Sequence, residues 1–324
     1  MIRVAEALAW LEARTGRLPA EQVPLHAAMG RVLADDVEAP KLGRMVAMDG
    51  HAVRAADTLG ASEYAPLPVR GMPVVAGAAL PDGFDAILPP HLLEAGAALG
   101  TVAPGHGVAL SGGTVPAGTR LRPAHLAALA NRAQVPVVLR PRVALAVAGP
   151  KAGPEALLPM LQALVEAEGG VVADPPDLRI HAGRSGPGPD DDGVGAFATV
   201  FAHGILLQPG ETSALGTVGG ITALLLPGDP IVCATAFAVL AAPALRRLAG
   251  RPEPAPRPAR LARKIVSGLG AVDAVRVRLV EGRAVPIPAG AAAAAAAEAD
   301  GLVLVPEGSE GYPEGATIPV HPVP

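Results

Sequence analysis

The chain has 324 residues, half of them apolar and only 2% aromatic, which calls for two or three domains with cores of Ala, Val and Leu and excludes a disordered chain. Its net charge of −4, with lysine only at Lys41, Lys151 and Lys264, lacks the clustered basic residues of a nucleic-acid surface. The single cysteine, Cys233, excludes an internal disulfide and fits a reducing compartment.

In chain order, charges at Arg3, Glu6, Glu12 and Arg14 mark the first segment as an amphipathic helix near 2–14 rather than a signal peptide. The rest of residues 1–140 has no regular β–α rhythm. Short apolar runs at Val46–Ala47, Val74–Val75, Ala86–Leu88 and Val108–Leu110 predict short strands, and Pro123 opens a helix over 123–132. From 141 to 250 the character changes. Arg142–Ala148 is an unbroken apolar run, as a buried parallel strand requires. A helix through Glu155–Glu168 ends at Gly169–Gly170. Further buried strands are expected at Gly204–Leu207 and Ile221–Leu226, before a long helix that reaches Leu248. Residues 251–259 are a proline-rich linker. Residues 260–324 alternate apolar and polar and predict a small β domain, with an Ala-rich helix at Ala291–Ala297. No run of about 20 uncharged apolar residues has transmembrane character. These features describe a multidomain α+β protein: a β-rich N-terminal region (1–140), a central α/β domain (141–250) and a C-terminal β domain (260–324). A soluble cytoplasmic protein is expected, with neither nucleic acid nor membrane as a partner.

Several segments, in order, resemble the MoeA family. PKLGRMVAMDGHAVRAAD (40–57) is similar to its Ser-Ala-Met-Asp-Gly-Tyr-Ala-Val segment, and VVAGAALPDGFDAILPP (74–90) to its Thr-Gly-Ala-x-Leu-Pro run. VPAGTRLRPAHLAALANRAQVPVVLRPRVALAVAG (115–149), FAHGILLQPGE (201–211), LPGDP (226–230) and AEADGLVLVPEGSEGYPEGATIPV (297–320) continue the match. The resemblance implies that the central part is a molybdopterin-binding-like domain and that the protein is an elongated homodimer. It implies insertion of molybdate into molybdopterin, supplied in adenylated form, usually with a divalent cation such as Mg²⁺. A molybdoenzyme is an implied partner.

The resemblance makes Asp49 the catalytic candidate, although an aspartate before glycine is also an ordinary turn. DLRIHAGRSGPGPDDD (177–192) resembles the family's glycine-rich loop. There Gly183, Arg184, Ser185, Gly186 and Gly188 are candidate substrate contacts, because glycines let backbone N–H groups approach phosphate oxygens. A plain flexible loop is the alternative. Asp190–Asp192 reads as a Mg²⁺ site or a solvated run. Pro209 and Gly210 form a second candidate contact; Lys151, with Arg184, could restore positive potential to the pocket or pair with Glu211 and Asp229 and close it. Pro227, Gly228 and Pro230 precede a long helix, whose free N–H groups can bind an anion; Asp229 can equally cap that helix. No histidine spacing indicates a metal site, and Cys233 lies within an apolar helix, which disfavours a nucleophile.

The departures from the family pattern concern charge. Ala76 replaces a threonine, Gly149-Pro150-Lys151-Ala152 replaces Gly-Asp-Glu-Leu, and Gln208 and Glu211 replace two lysines. An aspartate aligns near Gly107. Arg179, His181 and Arg184 stand where the family has small or apolar residues. About one helix of the usual α/β domain is missing between Gly170 and Asp177. Two functions fit: a transferase inserting molybdate, or a non-catalytic dimeric scaffold or binding module for a pterin, another anion or a molybdoenzyme.

Overall fold

The computed structural model describes residues 1–41, 43–148, 154–183 and 193–323. The chain packs as two units: Met1–Gln22 with Gly30–Ala34 and Pro136–Pro324, and Val23–Met29 with Asp35–Val135. The expected multidomain mixture of strands with few helices is what forms.

In the second unit glycine and proline interrupt every apolar run, so the strands are short and antiparallel. Gly50–Val53 lies between Met72–Val74 and Ala86–Leu88, and Arg44–Val46 pairs with Val108–Leu110. Two small cores result, one around Val53, Leu88 and Val102, the other around Val46, Ala52 and Ile87. The proline-led helix runs over Pro123–Ala128.

The first unit's principal elements are β1 (Ile2–Arg3), α1 (Val4–Glu12), β2 (Arg142–Ala148), α2 (Pro154–Ala167), β3 (Val171–Val172), β4 (Leu178–Gly183), β5 (Thr199–His203), β6 (Ile205–Gln208), β7 (Ala214–Val218), β8 (Ile221–Pro227), α3 (Pro230–Leu248), β9 (Arg257–Leu261), β10 (Val272–Val280), β11 (Arg283–Pro286), α4 (Ala293–Ala297), β12 (Gly301–Val305) and β13 (Thr317–Pro322). A six-stranded sheet has the order β3-β2-β4-β8-β7-β5, parallel from β3 to β8 and antiparallel thereafter. Period-2 alternation divides its side chains between two faces. Val143, Leu178, Ile180, Leu224 and Leu226 meet the apolar stripes of α1, α2 and α3 on one face. By length and composition α3 could cross a bilayer; 67% of its most apolar window is buried within this unit, so the core accounts for its character. Pro243 cannot donate to the turn before it, and the preceding residues Phe237–Ala241 form a π segment.

The other face has thinner cover. Its core is Phe197, Ala214, Ala223 and Leu225, with Val194 and Val218 packed on it; among the described residues no helix contributes. The helix missing from the sequence between Gly170 and Asp177 is missing here too: residues 173–177 pass from β3 to β4 as a turn.

The C-terminal β domain is a closed barrel of five strands, in which β10 pairs with β11, β11 with β9, β9 with β13, β13 with β12, and β12 with β10. Leu261, Val277, Ala284, Val303, Val305 and Ile318 fill it. Two expectations need correction. Ile205–Gln208, placed by the sequence in the α/β domain, pairs in parallel with β1 and with β10 of the barrel instead. The proline-rich linker ends sooner than expected, because Arg257–Leu261 is a barrel strand. Pro258 is tolerated there since the ladder to β11 begins only at Arg260, leaving no partner that needs its missing N–H on that side.

Candidate functional site

Three neighbouring parallel strands end level with one another: Ala148 of β2 is in register with Gly183 of β4, and Gly183 with Pro227 of β8. The carboxyl ends of parallel strands are where open α/β sheets bind ligands. Gly183, Pro227, Gly228 and Pro230 are therefore brought together at this edge. Gly228 must be glycine: a Cβ there would lie 3.2 Å from the Gly183 carbonyl carbon and 3.3 Å from its Cα. Lys151, Arg184, Ser185, Gly186 and Gly188 lie outside the described residues, as does Asp190–Asp192.

The start of α3 shows how this edge treats an anion. Its first-turn donors are all engaged. Pro230 has no N–H, the Asp229 Oδ1 accepts from Ile231 and Val232 at 3.0 Å each, and the Cys233 amide donates to the Asp229 carbonyl at 2.7 Å. Asp229 is thus an N-cap, and its charge opposes an incoming anion. Arg276 from β10 brings a cation to the same turn, donating to the Ile231 carbonyl at 3.1 Å and to the Thr235 hydroxyl at 2.8 Å. Burial holds its pKa below the usual arginine value. Only the alternation of Val275 to Val277 around Arg276 could have marked it in the sequence. Cys233 is fully buried, and burial first and the Asp229 charge second push its thiol up to about 12. It is inert, as its apolar surroundings implied.

Pro209 and Gly210 do not join this cluster. A Cβ on Gly210 would meet Ala236 of α3 at 3.4 Å, and Ala236 is six residues beyond Pro230, about 9 Å along the helix. The Glu211 carboxylate accepts from the Gly210 amide at 3.0 Å, so an acid occupies that donor as well.

In the other unit Asp49 is exposed, and its Oδ1 accepts from the Ala76 amide at 2.7 Å. The Ala47 amide donates to the Gly107 carbonyl at 2.8 Å, and a Cβ on Gly107 would clash with Ile87 and Met48. The three segments around Asp49, Ala76 and Gly107 therefore converge, though they are far apart in sequence. Gly50 is needed because a Cβ there would sit 2.5 Å from the Leu88 carbonyl oxygen. Among the described residues no group of three or more His, Cys, Asp or Glu could hold a metal ion.

A parallel sheet with level glycine-bearing ends, a five-stranded barrel joined to its unit, and a separate unit of short strands define a MoeA-type architecture. The comparisons agree. The model of the MoeA N-terminal region (domains I and II) matches residues 2–132, and that of the MoeA C-terminal region (domain IV) matches 258–323. Molybdopterin molybdenumtransferase 2 of Mycobacterium tuberculosis, in strains CDC 1551 and H37Rv, is 30% identical over 308 residues, covering 72% of this chain and 76% of the relative. Two crystal structures of the molybdopterin biosynthesis MoeA protein from Pyrococcus horikoshii share the fold. They have TM-scores of 0.72 and 0.69 at 23% and 26% identity, each covering 99% of both chains. The chain belongs to the MoeA family.

Proposed function

We propose that this protein serves molybdenum cofactor biosynthesis by holding molybdopterin or its adenylated form, and that its own insertion of molybdate is weak. Family membership and the transferase relative support the pathway. The observation that carries the second part is the start of α3, where Asp229 takes every described first-turn donor and adds a negative charge. Glu211 does the same at Gly210. One unit charge 4 Å away costs a bound anion about 1 kcal/mol in water and about 4 kcal/mol at an effective dielectric near 20; Asp229 is exposed and falls between these limits, which weakens binding. Lys151, Arg184, Ser185, Gly186 and Gly188 complete the proposed substrate contacts from the family pattern, and Asp49 is the proposed catalytic residue of any remaining activity. The protein acts as a homodimer, with an interface above about 2,000 Å², and passes its cargo to a molybdoenzyme.

The direct test is complementation of a strain that lacks the insertion enzyme. No growth dependent on a molybdenum enzyme is expected at ordinary molybdate. Growth with the unmodified chain would restore the full transferase function. Mass spectrometry of the purified protein tests the cargo: a pterin should co-purify.

A further inference from the structure

We propose that the Arg179–His181 face of the six-stranded sheet binds a small tetrahedral oxyanion of the phosphate class, at a site separate from the strand ends. Both residues belong to β4 and point away from the helix-covered core that takes Leu178, Ile180 and Ala182. Arg179 stands between Ala144 and Ala223, and His181 between Ala146 and Leu225. This is the face where no helix contributes cover among the described residues.

One polar group here lacks a partner among the described residues. The Arg179 Nε is buried and makes no hydrogen bond. His181 is only 8% exposed, and its ring meets Phe197 edge-on, with centroids 5.6 Å apart. The carboxylate that could have served Arg179 is Asp177, two residues earlier on the same side of the strand. It is already held by Arg142, whose Nη2 and Nε lie 3.1 and 3.3 Å from its two oxygens and whose amide lies at 2.9 Å. Buried donors without partners are rare and costly, and a ligand that supplies acceptors removes the cost. Burial first, and the cationic neighbour Arg179 second, disfavour protonation of His181, and a bound anion would offset the second.

Shape selects the class. The two Cα positions are about 7 Å apart along the strand, so a guanidinium edge and an imidazole N–H can approach one ligand from two directions. A planar carboxylate holds its lone pairs in one plane, whereas the oxygens of a tetrahedral oxyanion point in four directions and can meet the guanidinium and the imidazole from two of them. Beside the pair, Ala144 is half-buried and Ala146 exposed, and neither side chain extends beyond Cβ. The site uses none of the strand-end residues and does not rest on the cofactor proposal above.

The test follows the imidazole of His181 by NMR in the full chain, titrated with inorganic phosphate, with AMP, and with chloride at matched ionic strength. Phosphate should shift the His181 signals saturably and raise its pKa, whereas chloride should not. Arg179→Ala and the longer Arg179→Gln should each weaken binding about tenfold or more, since each removes a charge-assisted hydrogen bond. AMP binding more tightly than phosphate would assign the anion to a nucleotide, and equal affinity would assign it to the free ion. An unshifted His181 at millimolar phosphate, or undiminished binding in folded Arg179→Gln, would overturn the proposal.

Discussion

Asp229→Asn separates the two things Asp229 does. Asparagine caps a helix about as well as aspartate, so the bonds to Ile231 and Val232 should survive. Only the favourable interaction of the charge with the helix dipole is lost, roughly 0.3–1 kcal/mol. For an anion about 5 Å from that carboxylate the gain is larger. It is about 3 kcal/mol at an effective dielectric of 20 and about 1 kcal/mol in bulk water. Asp229 is exposed, which places the effect between those limits. Affinity for pyrophosphate should therefore rise at least about fivefold at low salt, and the gain should shrink as salt approaches about 1 M. Isothermal calorimetry at two salt concentrations reads this, with thermal melting as the control. Equal pyrophosphate affinities for the wild type and Asp229→Asn at low salt would refute the claim that this carboxylate repels anions. A melting temperature as low as that of Asp229→Ala would refute the claim that the cap survives.

The remaining expectations concern stability and reactivity. Glu168 is 3% exposed and binds Arg246 through both oxygens as well as Arg251 at 2.9 Å; Glu168→Ala should cost about 3–5 kcal/mol by leaving Arg246 buried without its main partner. The paired change Glu168→Leu with Arg246→Leu should recover most of this in chemical denaturation, and a loss below about 1 kcal/mol for Glu168→Ala would contradict the account. The Cys233 thiol, pushed up to about 12, should resist iodoacetamide in the native protein at pH 8 and react once unfolded. Rapid native labelling would show that the helix opens. His181 has its pKa lowered from 6.5 by burial first and by Arg179 second. The unfolded state then binds more protons just below pH 6.5, so stability falls as pH drops through that value and levels off below the folded pKa. His321, also lowered by burial, has the same sign, so His181→Leu should flatten part of the slope in denaturation midpoints measured down to about pH 5. An unchanged slope would remove His181 from the explanation.

What was legible in the sequence follows from what local chemistry encodes. Arg142–Ala148 and the helices starting at Pro154 and Pro230 could be read because apolar runs and proline or glycine boundaries are local signals. The partner of Ile205–Gln208 could not, since a four-residue apolar strand carries no record of a ladder to Val272, some 65 residues onward. Arg257–Leu261 was hidden by prolines whose tolerance depends on where its neighbour's ladder begins. At the site, the motif Pro227–Pro230 was visible, but aspartate and asparagine look alike as caps, and only the donor inventory shows that the first turn is fully engaged. Family resemblance marked Asp49, Ala76 and Gly107 one by one, while their convergence depends on bonds between segments far apart in sequence. Arg179 and His181 were visible as polar residues inside an apolar strand, while the orphaned donor depends on a carboxylate already held by Arg142.

The ladder that joins β1, β6 and β10 has a consequence for how the protein is made. Ile2 and Arg3 find their partners only when Ile205 and Leu206 have been synthesised, and β6 in turn waits for Val272 and Asp273. At about 5–20 residues per second, a ribosome needs some 10–40 seconds to deliver β6 to β1 and several more to deliver β10. The unit of Val23–Met29 and Asp35–Val135 emerges whole during that interval and can fold on its own schedule. The first strand must meanwhile stay soluble beside a growing chain, and the closing of this sheet, with its high contact order, becomes the slow event of biogenesis. Nascent chains arrested before Val272 should expose β6 as an open edge and be the species that chaperones hold.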